Sequence, residues 1–340
     1  MAIKVAINGF GRIGRNAFKI ANAHHELEVV AVNDLTDTET LAHLLKHDSN
    51  YGLYHEEVGH DEKHLIVGGK KIAVLAEKDP ATLPWKDLKV DVVIESTGFF
   101  TTHEALESHL KAGAKRVVLS APEKGDLAHH EAHETFVIGA NEDKITSEHK
   151  IVSNASCTTN CITPVMVVLD EVFGVEKSLM TTVHSYTASQ KLQDAPAKDL
   201  REARNAAENI VPTTTGASKA AALAYPALKG IFDGMSIRVP TPVVSIADIT
   251  FVSKKDTTVE EVNAALTKAS HSPKLQGILA ATEEELVSTD YRGNTHSAIV
   301  DLKLTNVVGG NLVKVVAWYD NEWGYSNRLV EQVINVGKTI

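Results

Sequence analysis

The run Ile3-Lys4-Val5-Ala6-Ile7-Asn8, followed directly by Gly9-Phe10-Gly11-Arg12-Ile13-Gly14, constrains this chain more than any other segment. The first six residues read as a buried strand. The glycines then call for a tight turn, and Ile13, Ala17, Phe18, Ile20 and Ala21 fall on one face of a following helix. A second strand-like run, Leu27 to Val32, delivers Asn33-Asp34 at its carboxyl end. Strand, helix and strand within about 30 residues is the length of one βαβ unit.

Glycines in this spacing carry weight only in context. Here they follow a strand and open a helix, and Asp34 lies 20 residues beyond Gly14. Together these features predict a dinucleotide fold. Gly9 permits the turn, Gly11 lets the backbone approach a pyrophosphate, and Gly14 allows close packing of helix on strand. Amides at the helix start, near Arg12 and Ile13, would bind the phosphates. The Asp34 carboxylate would accept hydrogen bonds from the adenosine ribose and repel a 2′-phosphate, favouring NAD over NADP.

Further strand-like runs are Ile72 to Leu75, Val90 to Ile94, Arg116 to Leu119, Phe136 to Ile138 and Ile151 to Val152, with helices over Glu39 to Leu45 and Glu104 to Ala112. Such alternation predicts an α/β domain of Rossmann type, its mostly parallel sheet covered on both faces. Past residue 150 the pattern changes. Lys177 to Val183, Ser236 to Val239, Val244 to Val252, Ala298 to Leu304 and Leu312 to Tyr319 are long strand-like runs. They predict an α+β domain with a large mixed or antiparallel sheet. Between Ser185 and Pro212 lies a polar, Ala-rich stretch with no clear strand, and loops of that length are usually functional or lie in an interface. Trp323 to Val336 predicts a final helix, able to pack back on the first domain.

At 340 residues the chain can bury two cores. Its formal charge of −10 argues against nucleic acid or an anionic membrane as the main partner. Two cysteines make no disulfide framework, so a cytoplasmic location is expected. No run approaches the length of a membrane span, and the first residues resemble a strand rather than a signal peptide.

One of those cysteines sits in Ala155-Ser156-Cys157-Thr158-Thr159-Asn160-Cys161, a small polar segment leading into apolar Ile162, Val165, Val167 and Val168. That predicts a thiol at a helix N-terminus, where the dipole would lower its pKa and make it a nucleophile. The alternative is an inert buried cysteine, which suits Cys161, one turn further on, better than Cys157. A dinucleotide site with an activated thiol points to aldehyde oxidation through a thioester. Such a thiol needs a base, and His184, ending the strand-like run Met180 to Val183, is the candidate. His129, His130 and His133 cluster in polar surroundings that suggest a solvated surface; no metal site is expected. Thr213-Thr214-Thr215-Gly216-Ala217 precedes a helix over Ser218 to Leu223, which offers hydroxyls and amides to an anion. Arg238, inside an apolar strand, requires either an internal ion pair or an anionic ligand.

From end to end these segments resemble the phosphorylating glyceraldehyde-3-phosphate dehydrogenases. The resemblance is carried by Asn8 to Arg15, Asn33 to Asp37, Glu95 to Thr101, Ser120-Ala121-Pro122, Ser153 to Pro164, His184 to Thr187, Pro212 to Ala217, Arg238 to Pro242 and Trp318 to Ser326. It implies an NAD-binding domain of residues 1–156 and 321–340, and a catalytic domain of 157–320. It also implies a homotetramer whose 185–211 loop lies in the subunit interface. Cys157 then matches the nucleophile and His184 its base. Thr187, Arg201 and Arg238 match the substrate-phosphate positions; Ser156, Thr158, Thr215 and Gly216 match those for the aldehyde or inorganic phosphate. On the cofactor side Gly9, Gly11, Arg12, Ile13, Asp34, Lys78, Thr97 and Ser120 match adenosine and pyrophosphate contacts, and Asn321 the residue that orients the nicotinamide carboxamide, with Tyr325 nearby. The implied activity is oxidation of D-glyceraldehyde 3-phosphate with NAD and inorganic phosphate. Erythrose-4-phosphate dehydrogenase, with similar motifs, and a surface or RNA-binding role are the alternatives.

Three positions depart from the family pattern. Lys78 stands where many members carry Arg, which keeps the charge without the bidentate fork. Ser189 occupies a place that is often acidic, and Glu202 sets a carboxylate next to Arg201. Leu35 and Pro196 resemble the NAD-specific branch.

Overall fold

The structure, a computed structural model, describes residues 2–125 and 135–340; the histidines at 129, 130 and 133 lie outside the described residues. The chain divides into two compact units. One comprises Met1–Phe136, Glu142–Ala155 and Ser326–Ile340; the other comprises Val137–Asn141 and Ser156–Tyr325.

The first unit runs β1 (Ile3–Asn8), α1 (Arg12–Ala23), β2 (Leu27–Asn33), α2 (Thr38–Lys46), the short pair β3 (His47–Asp48) and β4 (Gly52–Leu53), β5 (Val58–His60), β6 (His64–Val67), β7 (Lys70–Leu75), β8 (Val92–Glu95), α3 (His103–Lys111), β9 (Arg116–Leu119) and β10 (Ile151–Ser153). Its main sheet has the order β10-β9-β8-β1-β2-β7-β6-β5. The strands from β10 to β7 are parallel, and β6 and β5 add an antiparallel edge. This is the predicted Rossmann-type sheet. Strand order reverses at β1, which pairs with β2 on one side and β8 on the other. Ligands of open α/β sheets bind at the carboxyl ends of strands at such a switch point, here Asn8, Asn33 and Glu95.

One sequence expectation fails in this region, and one hairpin was not anticipated. Phe136 to Ile138 form no strand: Thr135 makes a single bridge to Ser153, and the side chains that follow are buried in irregular backbone. Their apolar character reflects burial, which the pattern cannot separate from a strand. That hairpin, β6–β7, turns on Gly68-Gly69 at φ +53° and +78°, the left-handed pair that such a tight turn needs.

The second unit runs α4 (Cys157–Phe173), β11 (Val175–Ser185), β12 (Val211–Thr214), α5 (Ala217–Ala224), β13 (Phe232–Val239), β14 (Ser245–Ser253), α6 (Val259–Ser270), β15 (Leu279–Thr282), β16 (Ala298–Asp301), β17 (Asn306–Val308), β18 (Leu312–Tyr319) and the start of α7 (Trp323–Gly337), whose later turns belong to the first unit. The sheet order is β12-β13-β11-β14-β18-β16-β15, with β17 on β18. It is mixed: β11 pairs parallel with β13 and antiparallel with β14. The strand expected over Ala298 to Leu304 stops at Asp301, where Leu302–Leu304 tighten into a 3-10 turn. Core residues of α4, including Cys161, Ile162, Val165 and Leu169, pack with those of the sheet and of α5 and α6. This helix is apolar almost all round because it is enclosed, and its amino end is thereby held fixed.

Candidate active site

In the first unit, Gly9 has φ +92°, and a Cβ there would fall 2.6 Å from the Thr97 amide nitrogen. A Cβ on Gly14 would fall 2.1 Å from the Gly9 carbonyl, so both positions exclude any side chain. Gly11 differs: its Cβ would meet nothing within 4 Å. It borders a cavity of about 560 Å³ lined also by Gly9, Asp34, Leu35, Lys78, Thr97 and Phe99. Asp34 Oδ2 accepts from the Phe10 amide at 2.9 Å and Oδ1 from the Thr36 amide at 3.1 Å, which fixes the carboxylate on this rim. Arg12 and Ile13 open α1; the Arg12 guanidinium is drawn to Asp48 at 2.7 Å. The Ser120 amide donates to the Glu95 carbonyl at 2.9 Å.

The donor set fits a dinucleotide. Asp34 could offer acceptors to a ribose, the free amides at the start of α1 suit an anion, and exposed Leu35 and Phe99 offer apolar walls to a planar ring. Phe99 was not singled out in the sequence; its signal is an aromatic residue in the loop just past a strand end.

In the second unit, Cys157 is the first residue of α4 behind an N-cap at Ser156, whose hydroxyl accepts from the Thr159 amide at 3.1 Å. The sulfur lies 3.4 Å from His184 Nε2. His184 and Arg238 are register partners in the parallel β11–β13 pair, which sets the guanidinium beside the imidazole. His184 Nδ1 lies 2.7 Å from the Ser185 carbonyl, which accepts its proton and leaves the Nε2 lone pair facing the sulfur. Arg238 Nη1 lies 2.5 Å from the same Nδ1 and donates to the Ser185 carbonyl at 3.3 Å. With the His184 proton on Nδ1, the Ser185 carbonyl is the acceptor this half-buried guanidinium finds among the described residues, and no carboxylate pairs with it there. The internal ion pair allowed by the sequence is absent there.

Tyr319 supports this group and went unnoticed in the sequence. Its hydroxyl joins Thr158 Oγ1 at 2.9 Å and Thr182 Oγ1 at 2.7 Å, and its ring meets His184 edge-on. Asn321 Oδ1 accepts from the hydroxyls of Ser185 and Ser245, each at 3.0 Å, which fixes the amide plane. Ser245 follows Val244, a β-branched residue at φ +75°, a strained conformation of the kind that clusters at functional sites.

Electrostatics correct one sequence expectation. Burial pushes the Cys157 thiol up, against the opposing pull of the Arg238 charge and hydrogen bonds from Thr158. Desolvation thus outweighs the helix end that was expected to lower it. Burial and then the Arg238 charge push His184 down to about 3. The resting pair is a neutral thiol facing a neutral imidazole. Cys161 is fully buried, and burial raises its thiol well above the ordinary range.

The His184 shift has a consequence for stability. Its ordinary value is 6.5 and its folded value about 3, so between these the unfolded chain binds the extra proton. The contribution is fully present above pH 6.5 and is lost as pH falls toward 3, by about 1.4 kcal/mol per pH unit. Melting temperature should therefore fall more steeply below about pH 6 in the wild type than in His184→Asn. Equal slopes would overturn the assignment of a neutral buried ring.

The remaining anion positions lie on the long loop and on α5. Arg201, Thr213, Thr214 and Thr215 border an open cavity of about 700 Å³. Thr215 Oγ1 accepts from the Ala217 amide at 3.2 Å, and Gly216 is the N-cap of α5. Arg204 is committed to Asp194 at 2.9 Å, and Glu202 accepts from the Thr213 hydroxyl at 2.9 Å. Thr187 and Ser189 share a hydroxyl contact of 2.9 Å on the surface. Among the described residues no cluster of three or more metal-ligating side chains occurs, and no helix is long and apolar enough to cross a membrane.

A Rossmann-type unit with a dinucleotide cavity, joined to an α+β unit with a part-buried thiol facing a buried imidazole, defines an NAD-dependent dehydrogenase. Residues 3–103 match the family model for the NAD binding domain of glyceraldehyde 3-phosphate dehydrogenase, and residues 156–321 match that for its C-terminal domain. The chain is 55% identical over 332 residues to a glyceraldehyde-3-phosphate dehydrogenase of Geobacillus stearothermophilus, covering 97% of each. It is 52% identical to glyceraldehyde-3-phosphate dehydrogenase 1 of Bacillus subtilis, covering 99% of each, and 52% identical to the Streptomyces coelicolor protein over the full length of both. The chain belongs to the glyceraldehyde-3-phosphate dehydrogenase family.

Proposed function

We propose that this chain oxidises D-glyceraldehyde 3-phosphate to 1,3-bisphosphoglycerate with NAD and inorganic phosphate, as a cytoplasmic enzyme of glycolysis. The observation that carries the reading is the Cys157 sulfur 3.4 Å from a neutral His184 Nε2, with a guanidinium beside them that no carboxylate among the described residues neutralises.

The chemistry assigns each group a task. As the sulfur attacks the aldehyde carbon, its proton passes to His184 Nε2 and then to the carbonyl oxygen, giving a hemithioacetal on Cys157. The amides opening α4 and the His184 N–H stabilise charge on that oxygen. NAD, when bound, supplies the acceptor for the hydride lost from the hemithioacetal carbon. His184 takes the hydroxyl proton at that stage and leaves a thioester. Inorganic phosphate held by Ser156, Thr158, Thr215 and Gly216 attacks the thioester carbonyl; the sulfur departs and recovers its proton from His184. Arg238, Arg201 and Thr187 hold the phosphate of the substrate. Gly9, Gly11, Arg12, Ile13, Asp34, Lys78, Thr97 and Ser120 hold the adenosine and pyrophosphate of NAD, and Asn321 orients the carboxamide.

In this reading the NAD-binding domain is 1–156 with 321–340 and the catalytic domain is 157–320; the compact units differ in placing Val137–Asn141, Ser156 and residues 321–325 in the second unit. The 185–211 loop forms a subunit interface in a homotetramer. Support for that interface comes from Leu192, Leu200 and Ile210, which are 73, 83 and 70% exposed in the single chain. Light scattering of the purified protein should give four times the chain mass.

The direct test is the appearance of NADH absorbance with glyceraldehyde 3-phosphate, NAD and phosphate. Omitting phosphate should stop turnover, and erythrose 4-phosphate should be the poorer substrate. Phosphate-independent oxidation would refute the scheme. Asp34→Gly should raise the KM for NAD about tenfold or more and narrow the gap to NADP, since it removes the charged acceptor for the ribose. Equal use of both cofactors before mutation would remove Asp34 from this role.

A further inference from the structure

Beside the dinucleotide cavity the first unit holds a line of buried polar groups that the scheme above leaves without a task. Trp85, Glu95 and His109 are each 0% exposed. The Trp85 indole donates to His109 Nδ1 at 3.0 Å, and an indole nitrogen can only donate. The His109 proton therefore sits on Nε2, 3.0 Å from Glu95 Oε2. The same oxygen accepts from Asn8 Nδ2 at 2.5 Å. Glu95 Oε1 accepts from the Thr97 amide at 2.8 Å and from the Thr97 hydroxyl at 2.5 Å. Four donors converge on the two oxygens of one side chain.

Asn8 passes the constraint along the rim. Its Oδ1 accepts from Asn33 Nδ2 at 2.7 Å. Asn33 in turn takes the Glu77 amide on Oδ1 and donates to the Glu77 carbonyl, each at 2.9 Å, next to Lys78. Asn8, Asn33, Glu77 and Thr97 all line the cavity, and Asn8, Asn33 and Glu95 are the carboxyl ends of three adjacent strands. A fully buried carboxyl group carries a desolvation cost that an apolar residue of its size does not, so stability alone is a poor reason for Glu95 among Val92, Val93 and Ile94.

We propose that Glu95 is a positioning residue for the dinucleotide. Its carboxylate fixes Thr97 and Asn8, and through Asn8 the Asn33–Glu77 rim, in the geometry that binds the cofactor. The proposal rests on the reading that this cavity takes NAD.

Glu95→Gln keeps the size but brings an amide donor to a place already supplied with donors, so at least one N–H loses its acceptor and the rim must shift. The KM and Kd for NAD should rise about tenfold or more, while kcat at saturating NAD changes less than about threefold. Leu106→Val, in a buried cluster with Val117, Leu119 and Ile151, is the control. It should lower the melting temperature and leave the KM for NAD in place. A Glu95→Gln protein that melts early yet keeps wild-type KM and Kd for NAD would overturn the proposal. Where Glu95→Gln does not fold, Glu95→Asp decides: the shortened carboxylate cannot reach Thr97 and Asn8 together, so a Kd for NAD raised about fivefold or more supports the proposal and wild-type affinity overturns it. Wild-type protein that does not bind NAD would sink the reading of the cavity itself, which keeps the two failures apart.

Discussion

Cys157→Ser should abolish phosphate-dependent turnover, by about 10⁴-fold or more, while the Kd for NAD stays near the wild-type value. The hydroxyl fills the same place at the start of α4 and can still approach His184. Its proton is far harder to remove than that of a thiol, and the acyl intermediate would become an oxygen ester. An ester is less reactive toward phosphate than a thioester, so both the attack and the release suffer. The raised thiol sharpens the expectation: because burial already opposes charge on sulfur, the less acidic hydroxyl gains nothing from the site. Turnover and NAD titration on the same sample separate chemistry from binding. Substantial phosphate-dependent activity in the serine variant would remove Cys157 from the reaction.

The features legible in the sequence are those that depend on neighbours along the chain. The strand over Ile3–Asn8, the glycine turn and the helix from Arg12 follow from residues within about 20 positions of one another. The thiol at a helix start was legible for the same reason, since Ser156 caps within its own turn. What failed depends on enclosure. Phe136 to Ile138 are apolar because they are buried, and nothing local says that no strand partner is available. The acidity of Cys157 was misread for a related reason: the helix end is visible in sequence, but the desolvation that outweighs it comes from distant elements.

The site shows the same division. Arg238 advertised itself as a charge within an apolar strand, but the choice between a counter-ion and an anionic ligand needed the β11–β13 register that pairs it with His184. Tyr319 is apolar in pattern and polar in use, and its hydroxyl reaches Thr158 across 161 residues. Glu95 looks like any acidic residue at a strand end. Two of its donors lie on Thr97, two residues on, but the others come from 87 residues before it and 14 after it, beyond any local window.

His184→Asn should lower kcat by about 10²- to 10⁴-fold with NAD affinity intact, the usual span for removing a general base. The amide is too short and too weakly basic to take the thiol proton in the place of Nε2, although it can keep a contact to the Ser185 carbonyl. The remaining activity should also change its pH dependence. Without the imidazole the thiol must lose its proton to solvent, and burial holds its pKa above the ordinary 9.0. Residual rates should therefore climb about tenfold per pH unit through the neutral and mildly alkaline range. The wild type should stay flatter over the same range, because a ring held down to about 3 is already neutral there and ready to accept. A variant with an unchanged rate would move the base elsewhere; a variant that is slow but keeps the wild-type profile would mean that His184 only positions the sulfur.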